Sequence, residues 1–117
     1  MGNLLEEKSK AFALKSIKVF ERLKTSCEFV LSKQFIRSAT SIGANITEGQ
    51  YAQSKADFCS NYSIALKEAA ETRYWIDLLL DSGCLADSDD SRKLRQECEE
   101  LIRLLVSSIK AAKESGK

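Results

Sequence analysis

The fold of this 117-residue chain is decided by residues 37–49, RSATSIGANITEG. Within this stretch Ala39, Ile42 and Ile46 recur at steps of three and four, which is the period of a helix that buries one face. Gly43 lies inside the same period, where a glycine costs about 1 kcal/mol relative to alanine. We therefore predict a helix whose small residues allow a second helix backbone to approach closely.

Three further helices are predicted around this one, because apolar seams that step by four and three continue along the chain. The chain contains no proline, and Gly49 and Gly83 stand where helices are expected to end. The predicted helices of this single domain, 1–117, lie at about 4–24, 33–48, 55–82 and 89–113. Four amphipathic helices with short links predict an all-α fold, an antiparallel up-down-up-down four-helix bundle.

Serine residues precede three of the predicted helices. A serine hydroxyl at the N-cap accepts a hydrogen bond from an otherwise unpaired N–H group in the first helical turn. We accordingly expect N-caps at Ser32, at Ser54 and at either Asp87 or Ser88. Gly49 is expected as the C′ residue that ends the second helix.

The charges of the chain are nearly balanced but unevenly placed. The net charge is +1, from 18 basic and 17 acidic side chains. Residues 1–37 hold eight Lys or Arg against four Glu, a net +4, whereas residues 38–117 hold ten against thirteen acids, a net −3. A basic first helix predicts a nucleic-acid interface at Lys8, Lys15, Lys18 and Arg22, and the other interpretation is an ordinary solvated helix face.

A polar ladder lies beside the apolar seam of the second helix. It consists of Arg37, Ser41, Asn45 and Glu48, which step by four, four and three. In an antiparallel pair of helices, Glu68 and Glu71 of the third helix come to a height comparable with Arg37. The ladder and these carboxylates are interpreted either as a site for a ligand or RNA phosphate, or as a structural network that sets helix register. Asn45 is expected to cap or bridge backbone groups near the turn at 49–54.

The third helix has apolar residues on the side opposite its seam. These residues are Ile64, Tyr74, Trp75 and Leu78. A helix that is apolar on two sides requires a second partner, so we predict a homo-oligomer interface here. The other interpretation packs Trp75 and Leu78 under the following turn, around Cys84 and Leu85.

Catalytic and metal-binding classes find little support in the sequence. The chain has no histidine, no Gly-rich phosphate loop and no CxxC spacing, so we expect no catalytic residues, no metal site and no cofactor. No apolar run approaches the length of a membrane span, and no signal peptide is evident, so we expect no membrane partner. A cytoplasmic location is therefore expected, with free cysteines at Cys27, Cys59, Cys84 and Cys98.

The Arg-Ser-x-x-Ser-Ile-x-x-Asn-Ile-x-Glu-Gly pattern at 37–49 continues in Ser54-Lys55-Ala56-Asp57-Phe58 and in ALKEAAET at 65–72. Over about residues 12–85 the chain resembles the bacterial four-helix-bundle proteins encoded in intervening sequences of 23S ribosomal RNA genes. That resemblance implies a left-handed bundle, commonly assembled as a homopentameric ring. The family is similar to the accessory variability proteins of diversity-generating retroelements, which bind nucleic acid and a reverse transcriptase.

Three hypotheses about function follow from the sequence. The first is a non-enzymatic homo-oligomer that binds RNA, a ribonucleoprotein or a nucleic-acid-processing protein through its basic first helix. The second is a protein–protein adaptor or scaffold with no nucleic-acid role. The weakest is an enzyme that uses Glu68, Glu71 and Arg37.

Overall fold

The computed structural model describes residues 3–25 and 29–115, and these residues form four long helices. They are α1 (Asn3–Leu23), α2 (Phe29–Gly49), α3 (Lys55–Asp81) and α4 (Asp89–Glu114). No strand occurs among the described residues, so the predicted all-α class is confirmed. The molecule measures 50 × 21 × 19 Å. This elongated shape is expected when long helices pack side by side along a common axis.

Each helix packs against its neighbours in the chain, and α1 closes the ring against α4. Between α2 and α3, Ser38 contacts Thr72 while Gln50 contacts Tyr62, so residue numbers rise along one helix as they fall along the other. The same reversal relates Asp77–Arg95 to Ala69–Cys98 between α3 and α4, and Lys8–Glu100 to Lys15–Glu97 between α1 and α4. The predicted up-down-up-down arrangement is confirmed.

The predicted N-caps of α3 and α4 are confirmed. Ser54 Oγ accepts a hydrogen bond of 3.0 Å from the Asp57 N–H. At α4, Ser88 Oγ accepts from the Ser91 N–H at 3.2 Å, and Ser91 Oγ accepts from the Ser88 N–H at 2.9 Å. These reciprocal bonds form a capping box in which serine replaces the usual Glu or Gln.

The start of α2 differs from the prediction. The helix begins at Phe29, four residues before the predicted start, and Ser32 is buried inside it rather than capping it. The Ser32 hydroxyl donates to the Phe29 carbonyl at 3.0 Å, a local bond that lets serine occupy a helix interior. Helix formation extends upstream because Leu31 packs against the core and no proline or glycine interrupts the chain there.

Gly49 also plays a different role from the one predicted. It is the last helical residue of α2 and does not adopt a positive φ, so it is not the C′ residue of a left-handed cap. A Cβ atom added here would lie 2.7 Å from Tyr62 Cε1, closer than packed side chains allow. Glycine is therefore required because the Tyr62 ring of α3 lies against the α2 backbone. The left-handed position after a helix is instead Gly83, whose φ is +82°.

The core is formed by seams on all four helices. In α2, Ala39, Ile42 and Ile46 are completely buried, as their spacing predicted, and Phe35 is buried with them. In α1, Phe12, Val19 and Leu23 are buried. Ser9 and Ser16 share the face of these residues at steps of three and four and are buried as well, although a hydrophobicity pattern does not mark serine as a core residue.

The small residues of α2 and α1 lie together. A Cβ added at Gly43 would approach Ser9 Oγ to 3.3 Å, so the predicted close approach to a second helix takes place against α1. Thus Gly43 and Ser9 together set how near these two helices lie.

The cysteines are not all free, which corrects the expectation from the sequence. Cys84, in the turn between α3 and α4, is disulfide-bonded. Cys59 and Cys98 are free, and the Cys98 thiol donates to the Ala69 carbonyl at 3.3 Å in the core. Burial raises the pKa of Cys98 to about 12. Cys27 lies outside the described residues.

Candidate functional site

Two of the four cations predicted to bind nucleic acid form ion pairs with carboxylates of α4. Lys8 Nζ lies 3.3 Å from a carboxylate oxygen of Glu100, and Lys15 Nζ lies 2.5 Å from Glu97. Antiparallel packing brings these α4 carboxylates to α1, since Glu97 and Glu100 are three residues apart on one face of α4. Their charge therefore compensates part of the basic face of α1.

The other two cations, Lys18 and Arg22, form no ion pair with any residue of the described ranges. They line a groove of about 180 Å³ between α1 and the start of α4. Lys93 of α4 lies on the same groove, and the one acid among its described lining residues is Asp90. The floor is apolar and consists of Val19 and Leu94. We call this space the cationic lobe.

A second cavity, of about 300 Å³, adjoins the cationic lobe at the turn between α3 and α4. The two cavities share Val19, Arg22 and Asp90. The lining of the second cavity includes Leu23, Leu85 and Ala86, so we call it the apolar lobe. Together the two lobes form the α1–α4 cleft, which is cationic on one side and apolar on the other.

Lys93 is the residue that sequence reasoning missed in this cleft. It lies 75 positions from Lys18 in the chain and belongs to residues 38–117, whose net charge is negative. The predicted order of the helices could have identified Lys93, because an antiparallel α4 has its first turns beside the last turns of α1.

The polar network predicted around Arg37 is assembled in the structure. The Arg37 guanidinium donates to a Glu71 carboxylate oxygen and, at 3.4 Å, to Glu68. The indole N–H of Trp75 donates to Glu71 at 2.9 Å. The hydrogen bonds from Trp75 and Arg37 hold the pKa of Glu71 below its ordinary value, and the bond to Glu71 raises the pKa of Arg37.

The rest of the ladder bonds within its own helix. Ser41 Oγ donates to the Arg37 carbonyl at 2.8 Å, and Asn45 donates to the Ser41 carbonyl at 2.9 Å. The expectation that Asn45 reaches the 49–54 turn is therefore wrong, and Gln50 occupies that role by donating to Tyr62 Oη at 2.7 Å. Glu48 lies apart from Arg37, on a groove between α1 and α2.

A buried polar contact between α2 and α3 was not identified from the sequence. Thr72 Oγ1 lies 2.8 Å from Ser38 Oγ, and both residues are fully buried. Because buried hydroxyls require partners, this contact favours one register between the two helices.

The outer face of α3 is partly exposed. Ile64 is 43% and Tyr74 58% exposed, whereas Trp75 and Leu78 are half-buried. The Tyr74 and Trp75 rings meet edge to face with centroids 5.1 Å apart. Trp75 is thus anchored by Glu71 on one side and Tyr74 on the other, which leaves an aromatic surface beside the Arg37 network.

Neither a metal site nor a membrane span is found in the described ranges. Among residues 3–25 and 29–115, no three His, Cys, Asp or Glu side chains are grouped so that they could hold a metal ion. Within the same ranges, none of the helices combines the length and apolar character that crossing a bilayer requires.

Comparison with known proteins identifies the family. Residues 4–107 match the family model of the 23S rRNA-intervening sequence protein. The chain belongs to this family. It is also similar to a crystal structure from Bacteroides thetaiotaomicron VPI-5482, described as a protein with unknown function from the S23 ribosomal protein family. The two share 42% identity, with a TM-score of 0.86 over 91% of this chain and 98% of the other. No curated protein matches this chain.

Proposed function

We propose that this protein is a non-enzymatic, self-associating helical module that binds RNA, alone or in a ribonucleoprotein, through the C-terminal half of α1. The observation that carries the proposal is the group of cations without ion-pair partners in the described structure, Lys18, Arg22 and Lys93, around one groove. Phosphate is the common ligand of such clusters, because Lys and Arg replace the counterions of a nucleic-acid backbone. Lys8 and Lys15, being paired with α4, contribute less.

The test is RNA binding titrated against salt, followed by the fluorescence anisotropy of a labelled structured RNA. Each phosphate contact that releases a counterion adds to the slope of log K against log salt. We expect measurable binding at low salt and a steep loss as salt rises. In the double variant Lys18→Glu, Arg22→Glu, we expect the dependence of the binding constant on salt to be abolished.

The matched control is Lys110→Glu, which reverses one exposed charge near the end of α4, about 25 Å along the helix from Lys93. At about 0.1 M salt this variant should bind within about twofold of the unmodified protein, since charges more than about 10 Å apart are largely screened at that concentration. Absence of binding at low salt, or an equal loss in the control, would refute the proposed role of α1.

Self-association is the second part of the proposal, and the exposed aromatic surface of α3 supports it. Tyr74 and Ile64 leave apolar area in water that a second copy would cover. If RNA is not bound, the same surface favours a protein–protein adaptor. The family resemblance implies that the oligomer is a pentamer.

The proposed location of the protein is the cytoplasm. In that compartment the disulfide bond of Cys84 would be reduced.

The non-enzymatic part of the proposal is supported by how the acidic residues are used. Glu71 accepts from both Arg37 and Trp75, and Arg37 also contacts Glu68. The Glu71 pKa is lowered rather than raised toward neutrality, so this carboxylate is poorly suited to proton transfer at pH 7. The test is a Glu68→Gln, Glu71→Gln double variant that remains folded. If the unmodified protein had a hydrolytic activity and this variant lost it, the assignment would be contradicted.

A further inference from the structure

We propose that the α1–α4 cleft binds the end of a single-stranded RNA that carries a terminal phosphomonoester. The phosphate contacts Lys18, Arg22 and Lys93 in the cationic lobe, and the terminal nucleoside lies in the apolar lobe. This inference rests on the proposed RNA-binding function. It adds the part of the RNA that is recognised and the residues that recognise it.

The local charge matches a dianion. Among the described residues, three cations and one carboxylate line the cationic lobe beyond the paired Lys15, and their net charge is about +2. A phosphomonoester carries about −1.5 to −2 charges near pH 7, whereas each internal phosphodiester carries one. The planar guanidinium of Arg22 can bind two phosphate oxygens at once, and the two lysines act as point charges.

The shape of the cleft selects an RNA end over the middle of a strand. Further along the two helices, the Lys15–Glu97 and Lys8–Glu100 ion pairs bridge α1 and α4. A strand that followed the groove would have to break these bridges and would meet two carboxylates. The cleft extends instead toward the turn that follows α3, through the apolar lobe. One nucleotide can therefore enter from the end of the bundle, while the remaining strand leaves into solvent.

The apolar lobe provides room for a base without selecting one. Leu23, Leu85 and Ala86 present aliphatic surface, and none of the described residues of the lining has an aromatic ring on which a base would stack. Base discrimination generally comes from hydrogen bonds to base edges or from stacking on aromatic side chains. The cleft is therefore expected to recognise the terminal phosphate with little preference for the adjoining base.

Asp90 explains how the cleft would favour RNA over DNA. Among the described lining residues it is the one carboxylate beside the cations, and it lies on the boundary shared by the two lobes. A ribose placed between the phosphate and the base would lie at this boundary. A carboxylate there can accept a hydrogen bond from the 2′-hydroxyl, which deoxyribose lacks.

The experiment compares three labelled ten-nucleotide RNAs of one unstructured sequence, with a 5′-phosphate, a 3′-phosphate or hydroxyls at both ends. Binding is measured by anisotropy at one low salt concentration. We expect one phosphorylated end to bind about tenfold more tightly than the hydroxyl form, the size of one charge-assisted contact. The two phosphorylated arms show which end the cleft accepts.

Lys93→Ala tests the assignment of the cleft, and Lys110→Ala, at the other end of α4, is the control. Both side chains are exposed, so neither change is expected to disturb folding, and thermal unfolding checks this. Lys93→Ala should abolish the preference for a phosphorylated end, whereas Lys110→Ala should retain it. Asp90→Ala should reduce the difference in binding affinity between an RNA and a DNA that have the same sequence and the same phosphorylated end.

Two negative results are distinguishable. Equal binding of all three RNAs, or a phosphate preference that Lys93→Ala leaves intact, would overturn the end-binding inference while the proposed RNA-binding function stands. No binding of any RNA at low salt would overturn both.

Discussion

Two glycines of α2 lack a side chain for different reasons, and substitution separates them. At Gly49 a Cβ would collide with the Tyr62 ring, which is only 2% exposed and is held by Gln50. At Gly43 a Cβ would meet the Ser9 hydroxyl at 3.3 Å, and a serine hydroxyl can rotate away. The same residue type therefore tolerates change to different degrees within one helix.

We expect Gly49→Ala to lower the free energy of unfolding by about 1–3 kcal/mol through overpacking. Gly43→Ala should remain within about 1 kcal/mol of the unmodified protein, since the gain in helix propensity offsets a small displacement of Ser9. Urea denaturation followed by circular dichroism measures both. An equal loss in the two variants would contradict the steric account of Gly49.

Buried serines provide a second contrast between single residues. Ser16 Oγ is buried and has no hydrogen-bond partner among the described residues, whereas Ser38 Oγ is bonded to Phe35 and Thr72. Ser16→Ala removes an unsatisfied hydroxyl, so it should leave stability unchanged or raise it by up to about 1 kcal/mol. Ser38→Ala should cost about 1 kcal/mol, because it removes the hydrogen bond to Thr72, whose hydroxyl keeps the Glu68 carbonyl as a partner. Loss of stability in Ser16→Ala larger than in Ser38→Ala would argue against this description.

The Glu71 carboxylate makes stability depend on pH. Its pKa is lowered from 4.5 in the folded protein, chiefly by the Trp75 N–H and then by Arg37. A lowered folded pKa stabilises the fold above the unfolded value, and this contribution is lost as pH falls through the folded pKa. The decrease in melting temperature between pH 7 and pH 3 should therefore be smaller in Glu71→Gln. Identical pH profiles would show that the network does not contribute.

At the scale of helices, the boundaries depend on local hydrogen bonds at their ends. The start of α4 is fixed by the reciprocal bonds of Ser88 and Ser91, and Ser91 Oγ also donates to the Ala86 carbonyl at 2.8 Å. Asp90 and Lys93 follow this cap within the first five residues of α4. The cap therefore also positions one wall of the α1–α4 cleft.

Ser88→Ala is expected to lower the free energy of unfolding by about 1 kcal/mol, as the loss of an N-cap usually does. The matched control is Ser107→Ala, an exposed position within the same helix, which should change stability by less than about 0.5 kcal/mol. Chemical denaturation of both variants measures the difference. If the two variants were equally stable, the cap would not determine where α4 begins.

At the scale of the whole molecule, assembly is tested on the outer face of α3. The double variant Ile64→Glu, Tyr74→Glu places two charges on residues that are 43% and 58% exposed, so the bundle itself should fold normally. We expect the unmodified protein to form an oligomer and this variant to be smaller in light scattering, because desolvating two carboxylates opposes association. An unchanged mass would place the interface elsewhere. Val106→Glu, a similarly exposed site on α4, is the control.

The features predicted correctly are those that depend on neighbours in the sequence. The seam of α2, the caps at Ser54 and Ser88 and the end of α3 near Gly83 depend on contacts or backbone angles set within a few residues. The errors at Ser32 and Gly49 arose at a helix start and a helix end. There, packing of Leu31 on the core and of Tyr62 on α2 overrode the local signal.

The sequence by itself determined the all-α class, the four helices, their antiparallel order and the family, because hydrophobic period, caps and short links are local properties. Only the tertiary structure decided how the charges are used. It paired Lys8 and Lys15 with α4, left Lys18 and Arg22 without an ion pair in the described part of the chain, and brought Lys93 beside them. The physical reason is that these contacts depend on the register between α1 and α4, the first and last helices of the chain, and on no local sequence signal.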